Sequence, residues 1–105
     1  MRIVIDECVP RIAKRGLPSR SIVSVQEMGW AGVKNGKLLK LVADEFDVFI
    51  TSDQNLRFQQ NLAAIDLAVI VLPSNQVPVV KLLLPAIDEA LETIQPGSLI
   101  EIPLP

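Results

Sequence analysis

Five short runs of branched apolar residues punctuate the chain, at 3–5, 21–25, 48–51, 68–72 and 99–102, and a turn or a helix-forming stretch separates each from the next. Runs this short and mostly apolar, the fourth uniformly so, suit strands buried on both faces, which is the habit of a parallel sheet. The connections are too long for hairpins, so each must cross over one face of the sheet, and such crossovers are right-handed. The expected architecture is α/β in three layers, a mostly parallel sheet of about five strands with helices on both faces. Its 105 residues form one domain on the usual size prior, and no internal repeat or linker divides them.

The connecting segments carry helix signals of differing clarity. Residues 8–15 read as a brief helix with Pro10 in its first turn, ended by Gly16 and Pro18. A helical turn ending at Gly29 is expected after the second strand, then a glycine-punctuated loop from Trp30 to Gly36. Asn35 offers an N-cap for a helix over Lys37 to Glu45, where Leu38, Leu39, Leu41 and Val42 form the apolar stripe. Asp53 is placed to cap a helix running to about Leu62. Residues 78–94 hold the longest helical pattern, which Pro85 is expected to kink or split.

Two of the strands end on an aspartate, Asp6 after IVI and Asp53 after FITS. In open α/β sheets ligands gather outside the carboxyl ends of strands, where the strand order reverses. Neighbouring strands lie about 4.8 Å apart, so two carboxylates at adjacent ends would repel unless one kept a proton or a cation joined them. The chain has no histidine and a single cysteine, Cys8. Histidine-based acid/base chemistry, Ser-His-Asp triads and His-bound zinc are therefore excluded, and an oxygen-only site calls for Mg²⁺ or Mn²⁺. Such an ion, held by one or two carboxylates and completed by phosphate oxygens, points to phosphodiester hydrolysis.

Each site residue also has a structural explanation. Either aspartate alone serves as a helix N-cap. Glu7 suits a first helical turn or an auxiliary role beside the metal, Thr51 and Ser52 suit a cap or a phosphate contact, and Cys8 suits a buried thiol. Trp30 is a packing anchor or a platform for a base. Charge is uneven: residues 1–40 hold eight basic against three acidic side chains, and the remainder two against nine. Such a basic half is either a solvated surface or a face for a polyanion. One cysteine, an aspartate within the first strand and no apolar run near the roughly 20 residues of a membrane span lead to the expectation of a cytoplasmic protein with no membrane partner. Its apolar helices leave room for a homodimer.

With DECVP after the first strand, VQEMGWAG in the middle and FITSDQNL after the third, the chain resembles the short PIN-like domains over nearly its whole length. The resemblance implies a strand order of 3-2-1-4-5 and an acidic cluster at the carboxyl edge of the sheet. It implies a Mg²⁺-dependent ribonuclease acting on RNA, in many members a toxin held by an antitoxin protein. Asp6 matches the family's aspartate ending the first strand, and Asp53 the one in its Thr-x-Asp motif, so these two become the catalytic and metal-binding carboxylates. Asn55 and Asn35 fall where relatives often carry acids, and complete or orient the metal site; Lys34, Lys37, Arg57 and Arg11 become the cations that steer RNA. The two amides also admit a non-catalytic member that only binds RNA or a protein. A third reading, a receiver-type phosphoacceptor domain, would use Asp6 and Glu7 as its acidic pair and Asp53 as acceptor.

Overall fold

A computed structural model of the protein describes residues 1–33, 35–55 and 66–105. The elements run β1 (Ile3–Ile5), α1 (Ile12–Arg15), β2 (Ile22–Ser24), α2 (Asn35–Glu45), β3 (Val48–Thr51), β4 (Ala68–Val71), α3 (Val77–Thr93) and β5 (Leu99–Glu101). All four strand ladders are parallel, and the order across the sheet is β2-β1-β3-β4-β5. The α/β expectation holds. The expected order 3-2-1-4-5 does not: only β2 lies outside β1, because the chain between β2 and β3 supplies α2 and no further strand among the described residues. The adjacency that matters for the two aspartates, β1 beside the strand preceding Asp53, is present.

Period-2 alternation splits each strand between two cores. Ile3, Ile5, Val48, Ile50, Ala68 and Ile70 face α1 and α3, packing with Ala13, Val80, Leu83, Ile87 and Leu91. Val4, Phe49, Val69 and Val71 face the other way onto Leu38, Leu39, Val42 and Phe46 of α2 and its end. Helices thus cover both faces, as strands apolar on both sides require.

Three local expectations are corrected. The first helix begins only at Ile12, since a turn closed by the Val9 N–H on the Asp6 carbonyl occupies the preceding residues. Asn35 is the first residue of α2 and not a cap outside it. Pro85 does not divide α3, which runs unbroken from Val77 to Thr93. A proline inside a helix costs about 3 kcal/mol, whereas burying each of Val80, Leu83, Ile87 and Leu91 returns roughly 1.5–3 kcal/mol. Packing on the sheet wins.

Gly16 ends α1 for a different reason than expected. Its φ of −77° is open to any residue. A side chain there would instead meet Leu84 of α3 at 2.3 Å and the Ile12 carbonyl at 2.8 Å, so glycine is what lets α1 close onto α3. Gly16→Ala is expected to destabilise the protein by about 1–3 kcal/mol, the range of overpacking costs, because the Leu84 tip can move but the Ile12 carbonyl belongs to the backbone; urea denaturation showing equal stability would contradict this close approach.

Part of the charge asymmetry is spent inside the molecule. Arg20, before β2, bonds through Nε to Asp88 Oδ1 at 2.9 Å and through Nη2 to Glu92 Oε1 at 2.8 Å, both on α3. Its guanidinium pKa is raised, first by the hydrogen bond to Asp88. No helix among the described residues is long and apolar enough to cross a membrane.

Candidate functional site

The register of β1 on β3 builds the site. Ile5 stands opposite Ile50, and the ladder continues as the Asp6 N–H donates to the Ile50 carbonyl at 2.8 Å. Asp6 therefore comes level with Thr51, on the α2 side of the sheet. Thr51, fully buried, donates its hydroxyl to Asp6 Oδ2 at 2.8 Å and accepts the Asp53 N–H at 3.1 Å. A single hydroxyl thus couples the two aspartates. Asp6 Oδ1 accepts the Glu7 N–H at 2.8 Å, and Asp53 Oδ1 accepts the Asn55 N–H at 2.9 Å. Both carboxylates line one open cleft of about 380 Å³ with Glu7, Ser52 and Asn75, walled on its apolar side by Val33 and Leu38.

The other sequence candidates divide around this cleft. Glu7 accepts the Gly32 N–H on Oε1 at 3.1 Å and so ties the 25–33 loop to the rim; Gly32 has a φ of +82°, a conformation that favours glycine. Cys8, expected as a buried thiol, is exposed: the turn after Asp6 carries it to the rim, where its sulfur lies 3.5 Å from Asp6 Oδ2 and accepts from the Ser52 hydroxyl at 3.1 Å. Asn55 contributes its backbone to Asp53 and is not among the cleft-lining residues. Gln54 Nε2 donates to the Leu72 carbonyl, anchoring the turn after β3 to the end of β4. Lys37 is exposed in the first turn of α2, and Asn35 opens that helix. Arg11 lines a separate cleft beside α1. Lys34, Arg57 and the expected helix running to Leu62 lie outside the described residues, apart from a 3₁₀ turn at 54–55. Trp30 packs edge-on against Phe46, ring centroids 6.1 Å apart, which is the anchoring role.

The segment following β2 is fixed by a capping box. Ser24 Oγ accepts the Glu27 N–H at 3.1 Å while Glu27 Oε1 accepts the Ser24 N–H at 3.0 Å. Lys14 Nζ also donates to Glu27 Oε1, at 2.6 Å. The Lys14 hydrogen bond, then the Ser24 N–H, hold the Glu27 carboxyl below its ordinary pKa. Because the folded value is the lower one, its stabilisation is complete above the ordinary glutamate pKa of about 4.3 and disappears as pH falls through the folded value. Glu27→Gln keeps the acceptor and removes the charge. Its acid-unfolding curve should therefore fall less steeply below about pH 4.3 than the wild type's, and superimposable curves would refute the pairing.

Two further residues carry no local sequence signal, Asn75 in the carboxylate cleft and Gln26, which lines the separate cleft beside α1. Asn75 reaches its place because the chain turns back after β4. Gln26 Nε2 approaches the Glu7 carbonyl at 3.5 Å. Only the topology brings them in. Among the described residues no group of three or more His, Cys, Asp or Glu side chains is arranged to hold a metal ion. Comparison with family models, with curated proteins and with solved structures finds no match.

Proposed function

We propose that this chain is a PIN-like, Mg²⁺- or Mn²⁺-dependent ribonuclease, acting as the toxin of a toxin-antitoxin pair. The observation that carries the reading is the meeting of Asp6 and Asp53 in one cleft at the carboxyl ends of neighbouring strands, beside the point where β1 has β2 on one side and β3 on the other. The donor set suits a hard cation in kind: two carboxylates, the Ser52 hydroxyl and the Asn75 amide offer oxygen around one cleft. Magnesium commonly takes one or two carboxylates and keeps its waters for exchange with phosphate oxygens.

Asp6 and Asp53 would hold the ion, which when bound polarises the phosphate and lowers the pKa of an attacking water. Thr51 fixes the position of the Asp6 carboxylate, Glu7 holds the rim loop through Gly32, and the Asn55 backbone N–H holds the Asp53 carboxylate. Lys34, Lys37, Arg57 and Arg11 steer the RNA strand. The test is cleavage of single-stranded RNA by the purified protein with Mn²⁺ and with EDTA; cleavage that survives EDTA, or none with Mn²⁺, rejects the reading.

A second reading has one observation in its favour. The order 2-1-3-4-5 is that of doubly wound proteins such as the receiver CheY, which would make Asp53 a phosphoacceptor beside Asp6 and Glu7. Against it, β5 ends on Glu101 where receivers carry a lysine. Incubation with acetyl phosphate and Mg²⁺, read by intact mass, decides: no added phosphoryl group leaves the nuclease reading in place.

A further inference from the structure

The cleft beside α1 measures about 390 Å³, and Arg11, Lys14, Arg15, Gln26 and Glu27 line it together with Ile5, the last residue of β1. Three cations there face one carboxylate. That carboxylate is already engaged, because Glu27 pairs with Lys14 at 2.6 Å and closes the capping box with Ser24. Arg11 and Arg15 are exposed and make no ion pair or side-chain hydrogen bond among the described residues. Two guanidinium groups therefore stand uncompensated in a concavity, an arrangement suited to phosphate because the guanidinium fork donates two parallel hydrogen bonds to adjacent anionic oxygens.

The location adds to the chemistry. Ile5 lines this cleft and Asp6, the next residue, lines the carboxylate cleft. The wall between them is the start of the turn after β1, braced by the Gln26 amide on the Glu7 carbonyl. We infer that Arg11 and Arg15 form a phosphate subsite for the backbone of a single-stranded RNA whose neighbouring segment lies in the Asp6–Asp53 cleft. Lys14 joins them when the polyanion competes with Glu27. A recessed pair of arginines adjoining a second cleft follows a strand, whereas an anionic membrane calls for an apolar or flat cationic face. The inference rests on the proposed ribonuclease reading for the identity of the polyanion.

The test is fluorescence anisotropy of a short labelled single-stranded RNA titrated with intact protein in EDTA, so that cleavage plays no part. The Arg11→Gln/Arg15→Gln double variant should bind about tenfold more weakly at low salt. Its plot of log K against log salt should be shallower by about 1.4, roughly 0.7 for each phosphate of a single strand that is no longer neutralised. Lys81→Gln, on the exposed side of α3, should match the wild type, and Glu27→Gln should bind more tightly, since it frees Lys14 and removes the opposing charge. Circular dichroism of the double variant checks that the fold persists. Unchanged affinity and salt slope in the double variant overturn the subsite, as does wild-type binding to phosphatidylserine vesicles with none to RNA. Absence of metal-dependent cleavage rejects the nuclease reading yet leaves weakened RNA binding by the double variant standing; cleavage together with undiminished binding sinks the subsite alone.

Discussion

Asp6→Asn is expected to lower the proposed metal-dependent RNA cleavage by at least roughly 100-fold, the upper end of what removing an outer partner of a metal ligand costs, while the protein stays folded. The substitution preserves shape. The retained oxygen still accepts the Glu7 N–H, and the new amide can donate to Thr51 Oγ1, whose own proton then turns elsewhere. What disappears is the negative charge that a divalent ion requires. Isothermal calorimetry with Mn²⁺ should show the same weakening of binding. Asp53→Asn should follow in both measurements, since its carboxylate shares the cleft and keeps its turn through the amide oxygen on the Asn55 N–H. Cleavage by both variants equal to the wild type's would end the nuclease proposal, and a Mn²⁺ affinity untouched by either would place the ion elsewhere.

Thr51→Val is expected to destabilise the protein by about 2–4 kcal/mol. Its hydroxyl is fully buried and serves two groups, the Asp6 carboxylate and the Asp53 N–H. Valine fills the same space and satisfies neither, and each buried polar group left without a partner costs roughly 1–3 kcal/mol. Chemical denaturation measures the effect, and Thr51→Ser, which restores a hydroxyl, should recover most of it. A valine variant as stable as the wild type would mean that solvent replaces the bridge. Because the same hydroxyl sets the relative placement of the two aspartates, Thr51→Val should also weaken Mn²⁺ binding in protein that remains folded.

The strands were legible because they carry apolar residues on both faces, and the alternation of strand with helix fixed a parallel sheet. The meeting of Asp6 and Asp53 was legible too, since both end strands and the carboxyl edge collects such ends. Other features were not, each for a physical reason. Strand order depends on which neighbour each crossover reaches; the expected order comes with the family resemblance, whereas the 25–47 segment itself reads as a turn, a loop and a helix with no strand. The role of Gly16 lies in Leu84, 68 residues away along the chain, and the persistence of α3 through Pro85 lies in the sheet beneath it. Asn75 reaches the cleft only through topology. The capping box of Ser24 and Glu27 carries an S-x-x-E signature, but the pairing of Glu27 with Lys14 is set only by the fold.

Among the described residues all the ladders are parallel, so no strand there pairs through a hairpin, and each of these pairings waits for a full crossover to be synthesised. Thr51, which locks Asp6, follows it by 45 residues, and the acids that clamp Arg20 follow by 68 and 72. Contacts of such long sequence separation slow folding, because loop closure must precede any gain from them. A chain still emerging from the ribosome therefore carries Asp6 without its partner carboxylate, and an activity that needs both stays silent until β3 has docked beside β1.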